Sequence, residues 1–544
     1  MAGSVNRSLR SFLLISSIIL LCGFLGVVFG QRIGDDNSSA SISDLNDGLR
    51  DFAQVYELVE QNYAEPVDPD KAIYDGAIPG MLRVLDPHSN FFDPKSYAKL
   101  REDQRGKYYG VGMTVGERNN KVIVMAPFAG SPAYRAGIRP GDVIIAIDSK
   151  PTDNMDTSDV ADLLKGPKGT TVHITMLRED TPKPIVFTVV RDEIPRNSVD
   201  VHFLIRPGIG YLHLNQFQET TDDEITATLN EFGDLKGLIF DMRGNPGGVL
   251  NEAVAVADKF LDKGEVIVSH HGRSSPEKVY RATHGNGGKD YPIVILVNRG
   301  TASAAEIVSG AIQDHDRGLI MGETTFGKGL VQTVFQLSDD AGLALTTAKY
   351  YTPSGRLIQR NYTGVSLYDY YYNREGEDNP STNNSNREVK LTDSGRTVYG
   401  GGGITPDLKY DTPKSNRFQD ELLTKYAFFN FAKHYTAIHP VTKTWEVDSN
   451  VLQDFRKSLD EAKVQYTEAD FLQNEDWVKR NIKTEVFISQ FGQEAGLRVH
   501  AEEDPEVLAA LNALPQAHAL EENAKKVIEA RNNGRAAAAA SSQQ

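Results

Sequence analysis

The sequence predicts an α/β core joined to a β-rich region, with helical segments before and after these two parts. Apolar runs at Gly237–Asp241 and Ile293–Val297 each lead through a turn of small residues into a helical pattern, which is typical of an α/β core. Short apolar runs such as 122–125 and Val143–Ile147 are separated by Gly-Asp and Pro-Gly turns, which predicts a compact β structure. Within the core, we expect the chemistry at the strand-to-helix turns.

Composition excludes several classes of function. The chain has 544 residues, enough for roughly three or four domains. Its formal net charge of -16 argues against nucleic acid as a partner, because proteins contact phosphate backbones with clustered Lys and Arg. The single cysteine, Cys22, lies in an apolar segment, so the sequence offers no intrachain disulfide, no Cys-rich metal site and no cysteine nucleophile in a soluble domain.

The first 32 residues predict a signal-anchor or a signal peptide. Residues 12–30 carry no charge and follow Arg7 and Arg10, with no acidic residue before them. An uncleaved helix of this length nearly spans a hydrocarbon core of about 30 Å, which favours a membrane anchor, and cleavage after Gly30 is the alternative. We therefore expect the remainder of the chain in the cell envelope, on the exported, periplasmic side of the membrane.

Changes in pattern divide the remaining chain. A packing helix near the N-terminus is predicted by apolar residues at helical spacing, namely Phe52, Val55, Tyr56, Val59 and Tyr63. A similar stripe beyond residue 411 consists of Phe418, Leu422, Tyr426 and Phe429. The predicted regions are an N-terminal helical region (45–105), a β-rich region (107–180), an α/β core (181–410) with a Tyr-, Asn- and Ser-rich surface insertion (362–396), a helical C-terminal extension (411–530) and a disordered tail (531–544).

Ser303 occupies a position suited to a nucleophile. The segment 298–306 follows a predicted buried strand and opens a helix, so Ser303 is expected at the positive end of that helix with its hydroxyl exposed. An ordinary capping serine fits the same position, because serine is among the commonest N-cap residues. Position alone leaves both interpretations open.

Lys328 and Gln332 are predicted to share one face of a strand. The segment 327–332 has the pattern of a strand, in which side chains alternate with a period of two. A lysine acts as a base only when it is desolvated enough for its pKa to fall from about 10.4 toward 7 to 8. Leu330 and Val331 supply apolar surroundings in sequence. A solvated lysine at a sheet edge is the simpler alternative.

The turn at 241–248 ends another predicted buried strand and enters a helix. Its sequence is Asp-Met-Arg-Gly-Asn-Pro-Gly-Gly, and the free N–H groups of such a turn suit the oxyanion of a tetrahedral intermediate. A plain glycine turn and a phosphate-binding loop are the alternatives. The segment lacks the Lys-Ser/Thr ending of a P-loop.

Together these three segments closely resemble the C-terminal processing peptidases, also called tail-specific proteases, over about residues 45–410. The resemblance implies the family's fold, in which a PDZ domain, here 107–180, is combined with a ClpP/crotonase-like α/β core, here 181–410. The spacings of 25 residues from Ser303 to Lys328 and 4 residues to Gln332 fit the family's pattern.

The resemblance implies a serine endopeptidase that cleaves exported proteins near their C-termini. Ser303 would be the nucleophile, Lys328 the general base and Gln332 the group that orients the lysine. The reaction would pass through an acyl-enzyme without a metal or other cofactor. The oxyanion hole would be formed by backbone N–H groups of Gly247, Gly248 and Ala304.

A second motif resembles the carboxylate-binding loop of PDZ domains. It consists of Tyr109, Gly110, Val111, Gly112 and Met113, in which small residues leave N–H groups free for a terminal carboxylate. The Val111 and Met113 side chains would line an apolar pocket. The expected partners are therefore protein substrates with apolar C-termini, and a PDZ domain that only scaffolds or gates the core is the alternative.

Three rival functions remain at this stage. A chymotrypsin-like PDZ protease is disfavoured because Pro246 stands where a Gly-Asn-Ser-Gly-Gly motif has its serine. Histidines with no evident triad context are predicted to be surface or packing residues, namely His88, His213, His270, His271, His284 and His315. A crotonase-like acyl-CoA enzyme shares the fold, and an envelope scaffold protein with an inactive core is the non-enzymatic rival. The insertion and the C-terminal extension are candidates for a surface that docks an adaptor protein, a homodimer surface or a lid.

Overall fold

The structure, a computed structural model, describes residues 42–118, 120–179, 181–372 and 387–541. The predicted signal segment at 1–32 and the middle of the insertion, 373–386, lie outside the described residues. Among the helices that are described, none is both long and apolar enough to cross a membrane. The chain divides between Ile78 and Pro79 into two compact units.

The first unit contains α1 (Ile42–Asn62) and a π-helix (Lys71–Ala77). Helical spacing correctly predicts α1, but the prediction that its apolar face is packed is wrong. Phe52, Val55 and Val59 are exposed. Within the described part of this unit, no residue of α1 is buried, so the amphipathic pattern here produces a helix without a buried face.

The second unit begins with short elements that lead into the β-rich region. They are α2 (Ile78–Arg83), β1 (Asn90–Phe92) and α3 (Pro94–Arg105). Asp93 caps α3 by accepting the N–H of Ser96, and Pro94 occupies the first helical position, where its missing N–H costs nothing.

The β-rich region forms a sheet of its own. Its elements are β2 (Lys107–Gly110), β3 (Met113–Arg118), β4 (Lys121–Pro127), α4 (Pro132–Arg135), β5 (Val143–Ile147), β6 (Lys150–Pro151), α5 (Thr157–Leu164), β7 (Thr171–Leu177), β8 (Ile185–Val190) and β9 (Asp192–Pro195). The main sheet has the order β3-β4-β5-β7-β8, with β6 paired to β5, and β2 pairs separately with β9. Alternating apolar residues on these strands pack with α5 around a small core of their own.

The α/β core is built on a six-stranded sheet with the order β10-β11-β12-β15-β16-β21. Its strands are β10 (Val199–Arg206), β11 (Ile209–Leu214), β12 (Gly237–Asp241), β15 (Ile293–Val297), β16 (Leu319–Gly322) and β21 (Leu408–Lys409), and its helices are α6 (Thr221–Phe232), α7 (Leu250–Asp258) and α8 (Ala304–Asp314). Within this sheet, each neighbouring pair from β11 through β12, β15 and β16 to β21 is parallel, and β12 and β15 are buried throughout. The carboxyl ends of β12 and β15 therefore open on the same edge of the sheet.

A second sheet lies beside this edge. It consists of β13 (Val266–Gly272), β14 (Ser275–Arg281), β17 (Leu330–Gln336) and β18 (Gly342–Tyr351), and β1 joins it antiparallel to β18. The insertion contributes α9 (Leu367–Tyr371), and a hairpin of β19 (Val389–Leu391) and β20 (Thr397–Tyr399) follows. In this way β1 brings the segment 86–89 to the edge of β18 that lies opposite β17.

The C-terminal extension is helical, as predicted. Its helices are α10 (Arg417–Thr424), α11 (Ala427–Ile438), α12 (Ser449–Glu461), α13 (Glu468–Gln473), α14 (Glu475–Phe491), α15 (Gln493–Glu503) and α16 (Pro505–Ser541). The predicted stripe is interrupted at Tyr426, which is partly exposed and left-handed (φ 51°) between α10 and α11.

Helix α16 covers the outer face of the core sheet. Val507, Ala510 and Leu514 pack against Ile239 and Leu296. The helix also continues to Ser541, through much of the region predicted as a disordered tail. The alanine run 536–540 explains the difference, because alanine has the highest helix propensity.

Candidate active site

Ser303 lies where β15 passes into α8. The strand is fully buried and α8 begins at Ala304, so Ser303 is the N-cap residue. Its backbone adopts φ 55° and ψ −114°. A non-glycine residue in such a conformation stores of order 1–3 kcal/mol of strain, which is commonly found at functional sites. The serine therefore stands on a strained turn at the positive end of a helix.

Glu306 connects the serine loop to the lysine loop. Its carboxylate is fully buried and accepts the backbone N–H groups of Ser303 (2.8 Å), Gly327 (2.7 Å) and Lys328 (2.9 Å), and the Thr325 hydroxyl (2.5 Å). Burial raises the pKa of Glu306, and these hydrogen bonds oppose that change because they favour the charged form. One buried acid thus fixes the backbone on both sides of the site.

Lys328 lies just before β17 rather than within it. The prediction of one continuous strand over 327–332 is wrong, because the Lys328 N–H is bound by Glu306 instead of a neighbouring strand. The pairing of β17 with β18 also shifts immediately before Gln332. The two side chains still meet, since Lys328 Nζ donates to Gln332 Oε1 at 2.9 Å.

The amine of Lys328 is largely removed from water. Burial lowers the pKa of Lys328, while the negative charges of Glu306 and Asp86 partly oppose that change. A lysine whose pKa falls carries a larger fraction of neutral amine at ordinary pH, and only the neutral amine accepts a proton.

Gln332 is held from its other end by the segment 86–89. Its Nε2 donates to the backbone oxygen of His88 at 2.5 Å. The His88 ring contacts the hydroxyl of Tyr370, with 2.9 Å between His88 Nε2 and Tyr370 Oη. Burial and the nearby charge of Lys328 lower the pKa of His88 to about 4, so the ring is neutral at pH 7.

The glycine turn at the end of β12 lies against the serine loop. A Cβ on Gly247 would stand 2.8 Å from Ser303 Cβ, and a Cβ on Gly248 would stand 1.9 Å from the Phe217 oxygen. Both glycines have positive φ, 96° and 143°. Only glycine therefore fits at these two positions without displacing the backbone.

The N–H groups of this turn are not equivalent. The Gly247 N–H donates to Asn245 Oδ1 at 2.8 Å. In the described part of the chain, no hydrogen bond engages the N–H of Gly248 or that of Ala304. These two N–H groups are the ones left for an incoming oxygen.

A cavity of about 830 Å³ collects the predicted catalytic groups. Its lining includes all six of them, together with the histidine of the neighbouring segment: Gly247, Gly248, Ser303, Ala304, Lys328, Gln332 and His88. Apolar side chains such as Phe217, Leu250 and Ile307 share the lining. The cavity thus combines a strained serine, a desolvated amine and unoccupied N–H donors.

The five predicted tail-binding residues lie away from this cavity, in the β-rich region. Val111 and Met113 are buried in the core of that region, and Tyr109 is partly exposed. Gly112 has φ 78°, and its carbonyl accepts the Ser131 hydroxyl at 2.7 Å. Gly110 ends β2, opposite Asp192 of β9. The loop is therefore closely held to α4.

Two residues at the site were missed by sequence reasoning. His88 was predicted to be an ordinary surface or packing residue. It instead lines the cavity and holds Gln332 through its backbone carbonyl. Glu306 lies within the serine segment 298–306, but no role was predicted for it. An acid inside an apolar helix, three residues after a candidate nucleophile, was the available signal for Glu306. His88 gave no signal of this kind.

His315 also lies among acids, but its ring nitrogens are both engaged. Nδ1 lies 2.7 Å from Asp393 Oδ2 and Nε2 lies 2.7 Å from the Val266 oxygen. Burial by itself lowers the pKa of His315, but the hydrogen bond to Asp393 and the charge of Glu265 outweigh it and raise the pKa to about 9. Glu265, His315 and Asp393 thus form a cluster of ionisable groups joined by ion pairs.

Comparison with known families identifies several regions of the chain. The model of Peptidase family S41 matches residues 208–366, and the PDZ domain model matches residues 123–178. The model named Activating protease CtpB N-terminal domain matches residues 31–96, and the one named Probable PDZ-protease, C-terminal helical domain, matches residues 418–470. The β-rich region therefore contains a PDZ domain, and the α/β core carries the peptidase match.

Individual relatives give the same assignment. A carboxy-terminal-processing protease of Bartonella bacilliformis is 37% identical over 61% of this chain and 76% of its own length. A carboxyl-terminal-processing protease of Synechocystis sp. is 38% identical over 52% of this chain and 68% of its own length. The carboxy-terminal processing protease CtpA of Bacillus subtilis is 33% identical over 65% and 76%. The chain therefore belongs to the carboxy-terminal processing proteases of peptidase family S41, and it is a serine-type peptidase with a PDZ domain.

Proposed function

We propose that Ser303 and Lys328 form the catalytic dyad of this peptidase, with Gln332 orienting the lysine. The observation that carries the proposal is the half-buried side chain of Lys328, whose amine has a lowered pKa, donates to Gln332 at 2.9 Å and lines the same cavity as Ser303. Lys328 would take the Ser303 proton while the serine oxygen attacks the scissile carbonyl. The resulting ammonium would return the proton to the leaving amine, and water would hydrolyse the acyl-enzyme.

The oxyanion would rest on the N–H groups of Gly248 and Ala304. Both are without an acceptor among the described residues. Of the three predicted donors, Gly247 is the weakest candidate, because its N–H already donates to Asn245. In our proposal Gly247 acts through its missing side chain, which lets the turn approach Ser303.

Substrate choice would begin at the PDZ domain. A terminal carboxylate would bind at the loop of Tyr109 to Met113, and the tail would extend along β3. A small apolar terminal residue suits this loop, because the Val111 and Met113 side chains are closely packed. The substrates would then be proteins with apolar C-termini, cleaved near those ends.

We also propose the finer architecture and location. The parallel sheet, the glycine turn and the N-cap serine are the features expected of a ClpP/crotonase-like core. Because β8 and β9 pair with strands of the β-rich region, we place the limit between the PDZ domain and the core after β9 (Asp192–Pro195) rather than between 107–180 and 181–410. The uncharged segment 12–30 after Arg7 and Arg10 supports export to the periplasmic side of a membrane.

The test uses matched peptides that end in a free or an amidated apolar C-terminus, with cleavage followed by mass spectrometry. Cleavage of the free-ended peptide that is lost in both Ser303→Ala and Lys328→Ala supports the dyad. Slower cleavage of the amidated peptide supports capture of the tail by the PDZ loop. Full activity in either alanine variant rejects the dyad, and equal rates for both peptides reject carboxylate recognition.

A further inference from the structure

The insertion at 362–396 reaches the catalytic cavity through the short helix α9. Tyr371, the last residue of α9, lines the cavity, and Tyr370 is buried behind it. The Tyr371 hydroxyl donates to the Pro87 oxygen at 3.0 Å, and Tyr370 Oη lies 2.9 Å from His88 Nε2. Two consecutive tyrosines thus contact two consecutive residues of the neighbouring segment.

The direction of the bond between Tyr370 and His88 follows from its surroundings. Gln359 Oε1 accepts the Gly329 N–H at 2.8 Å, which identifies the other end of this amide as the donor. Gln359 Nε2 then donates to Tyr370 Oη at 3.2 Å. The tyrosine hydroxyl is left to donate its own hydrogen to His88 Nε2, which agrees with a neutral imidazole.

The segment 86–89 is a turn held from within by Asp86. This buried carboxylate accepts the N–H of His88 at 2.8 Å and the N–H and hydroxyl of Ser89 at 2.7 and 2.8 Å. The Ser89 hydroxyl accepts the Thr346 N–H of β18 at 3.1 Å. The turn is therefore tied to the sheet on one side and to α9 on the other.

The turn acts on the catalytic groups through one atom, the carbonyl oxygen of His88. A carbonyl oxygen only accepts hydrogen bonds, so it selects the NH₂ end of the Gln332 amide. The Gln332 oxygen must then face Lys328 Nζ. With the amide reversed, an N–H of Gln332 would donate to the lone pair of the neutral lysine, which is the lone pair needed to accept a proton.

We propose that Tyr370 and Tyr371 are positioning residues for the general base, because they hold the 86–89 turn whose carbonyl fixes the orientation of the Gln332 amide. The inference rests on the proposed dyad of Ser303 and Lys328. It assigns the insertion a part in the active site, as a support for the general base.

The proposal predicts a specific change in the pH profile of the reaction. Lys328 is surrounded by the acids Asp86 and Glu306, the neutral ring of His88, and Arg360, whose charge also affects that ring. A reversed Gln332 amide presents N–H instead of C=O to the lysine, which disfavours the ammonium form. The acidic limb of the rate profile should then move to lower pH while the maximal rate falls.

The experiment measures kcat and KM between about pH 5.5 and 10 for the full-length protein and two single variants, with a peptide that has a free apolar C-terminus. In Tyr371→Phe the ring stays and only the hydroxyl is lost, and the residue is 40% exposed, so the fold is retained. The matched control is Tyr368→Phe, on the same helix but 70% exposed and without a described hydrogen bond to the turn. We expect Tyr371→Phe to lower kcat by about threefold to tenfold, the effect of one lost hydrogen bond, with KM unchanged.

A double-variant cycle separates positioning from general loosening of the structure. In a Gln332→Leu background there is no amide to orient, so Tyr371→Phe should have no further effect. The proposal is overturned if Tyr371→Phe behaves like Tyr368→Phe, if its acidic limb moves to higher pH, or if its effect persists in Gln332→Leu. Activity that survives in Lys328→Ala would instead reject the underlying dyad, so the two failures are distinguishable.

Discussion

Glu306 accepts the backbone N–H of Lys328 at 2.9 Å, across 22 positions of sequence, through the same oxygen that accepts the N–H of Ser303. The distance between the loops that carry the proposed nucleophile and the proposed base is therefore set by backbone contacts with one atom. Long side chains such as lysine have many rotamers, so fixing the main chain on both sides reduces the motion that remains. Glu306 holds the two loops from a fully buried position.

Replacing this acid should damage activity and stability together. In Glu306→Gln one oxygen becomes an NH₂ group facing two N–H or O–H donors, which leaves buried donors unsatisfied. We expect the free energy of unfolding to fall by about 2–4 kcal/mol, at about 1–3 kcal/mol for each unsatisfied group. Urea unfolding measures the loss, and Glu461→Gln, at an exposed helix end, is the control. A Glu306→Gln protein with parental stability would contradict this role.

The glycine turn offers a matched pair of substitutions. Gly248→Ala would place a Cβ 1.9 Å from the Phe217 oxygen and displace the N–H proposed for the oxyanion. Gly244→Ala, in the same turn and also at positive φ (73°), meets nothing within 4 Å. We expect kcat to fall about 100-fold or more in Gly248→Ala, as for loss of an oxyanion donor, and only slightly in Gly244→Ala. Comparable losses in both would show that backbone strain, not donor placement, governs the effect.

A similar pair tests the PDZ loop. Gly112→Ala would bring a Cβ to 2.5 Å from Ser131 Cβ, whereas Gly130→Ala is equally left-handed (φ 72°) but meets open space. Both pay the backbone cost of about 1–2 kcal/mol, and only Gly112→Ala adds a clash. Peptide-tail affinity measured by fluorescence anisotropy should therefore drop in Gly112→Ala alone. Equal affinities in the two variants would argue against this loop as the binding site.

His315 should make stability depend on pH. Its pKa is raised from 6.5 to about 9, so its contribution to stability is fully present below pH 6.5 and is lost as the pH rises through 9. The destabilisation caused by His315→Gln should accordingly be about 3 kcal/mol larger at pH 6 than near pH 10. Urea unfolding at both values measures this difference. The control is His518→Gln, at a half-exposed site, and a pH-independent effect of His315→Gln would refute the assignment.

Local pattern was sufficient for much of this protein. The buried strands β12 and β15, the glycine turn after β12 and the helix start at Ala304 all follow from short-range periodicity and turn chemistry. These features place the serine and the two glycines on one sheet edge, because neighbouring parallel strands share their carboxyl ends.

Long-range contacts account for what the sequence did not reveal. Lys328 leaves the predicted strand because its N–H binds an acid on another element, and His88 meets Gln332 from 244 positions away. No periodicity encodes such pairings. For α1, the amphipathic pattern correctly predicts the helix but not the exposure of its apolar face. Burial of that face depends on a partner surface that the local sequence does not specify.

The position of α16, at the end of the chain, affects when the enzyme becomes active during its synthesis. Most of the apolar cover on one face of the core sheet comes from residues after Pro505, including Val507, Ala510 and Leu514, whereas the serine and lysine are translated some two hundred positions earlier. When the serine and the lysine of a ribosome-bound chain have been synthesised, one apolar face of the sheet beneath them is still uncovered. Such an incompletely packed sheet does not hold a strained turn rigid. Peptidase activity should consequently appear only late in synthesis, so neighbouring nascent chains are not cleaved by an incompletely synthesised protease.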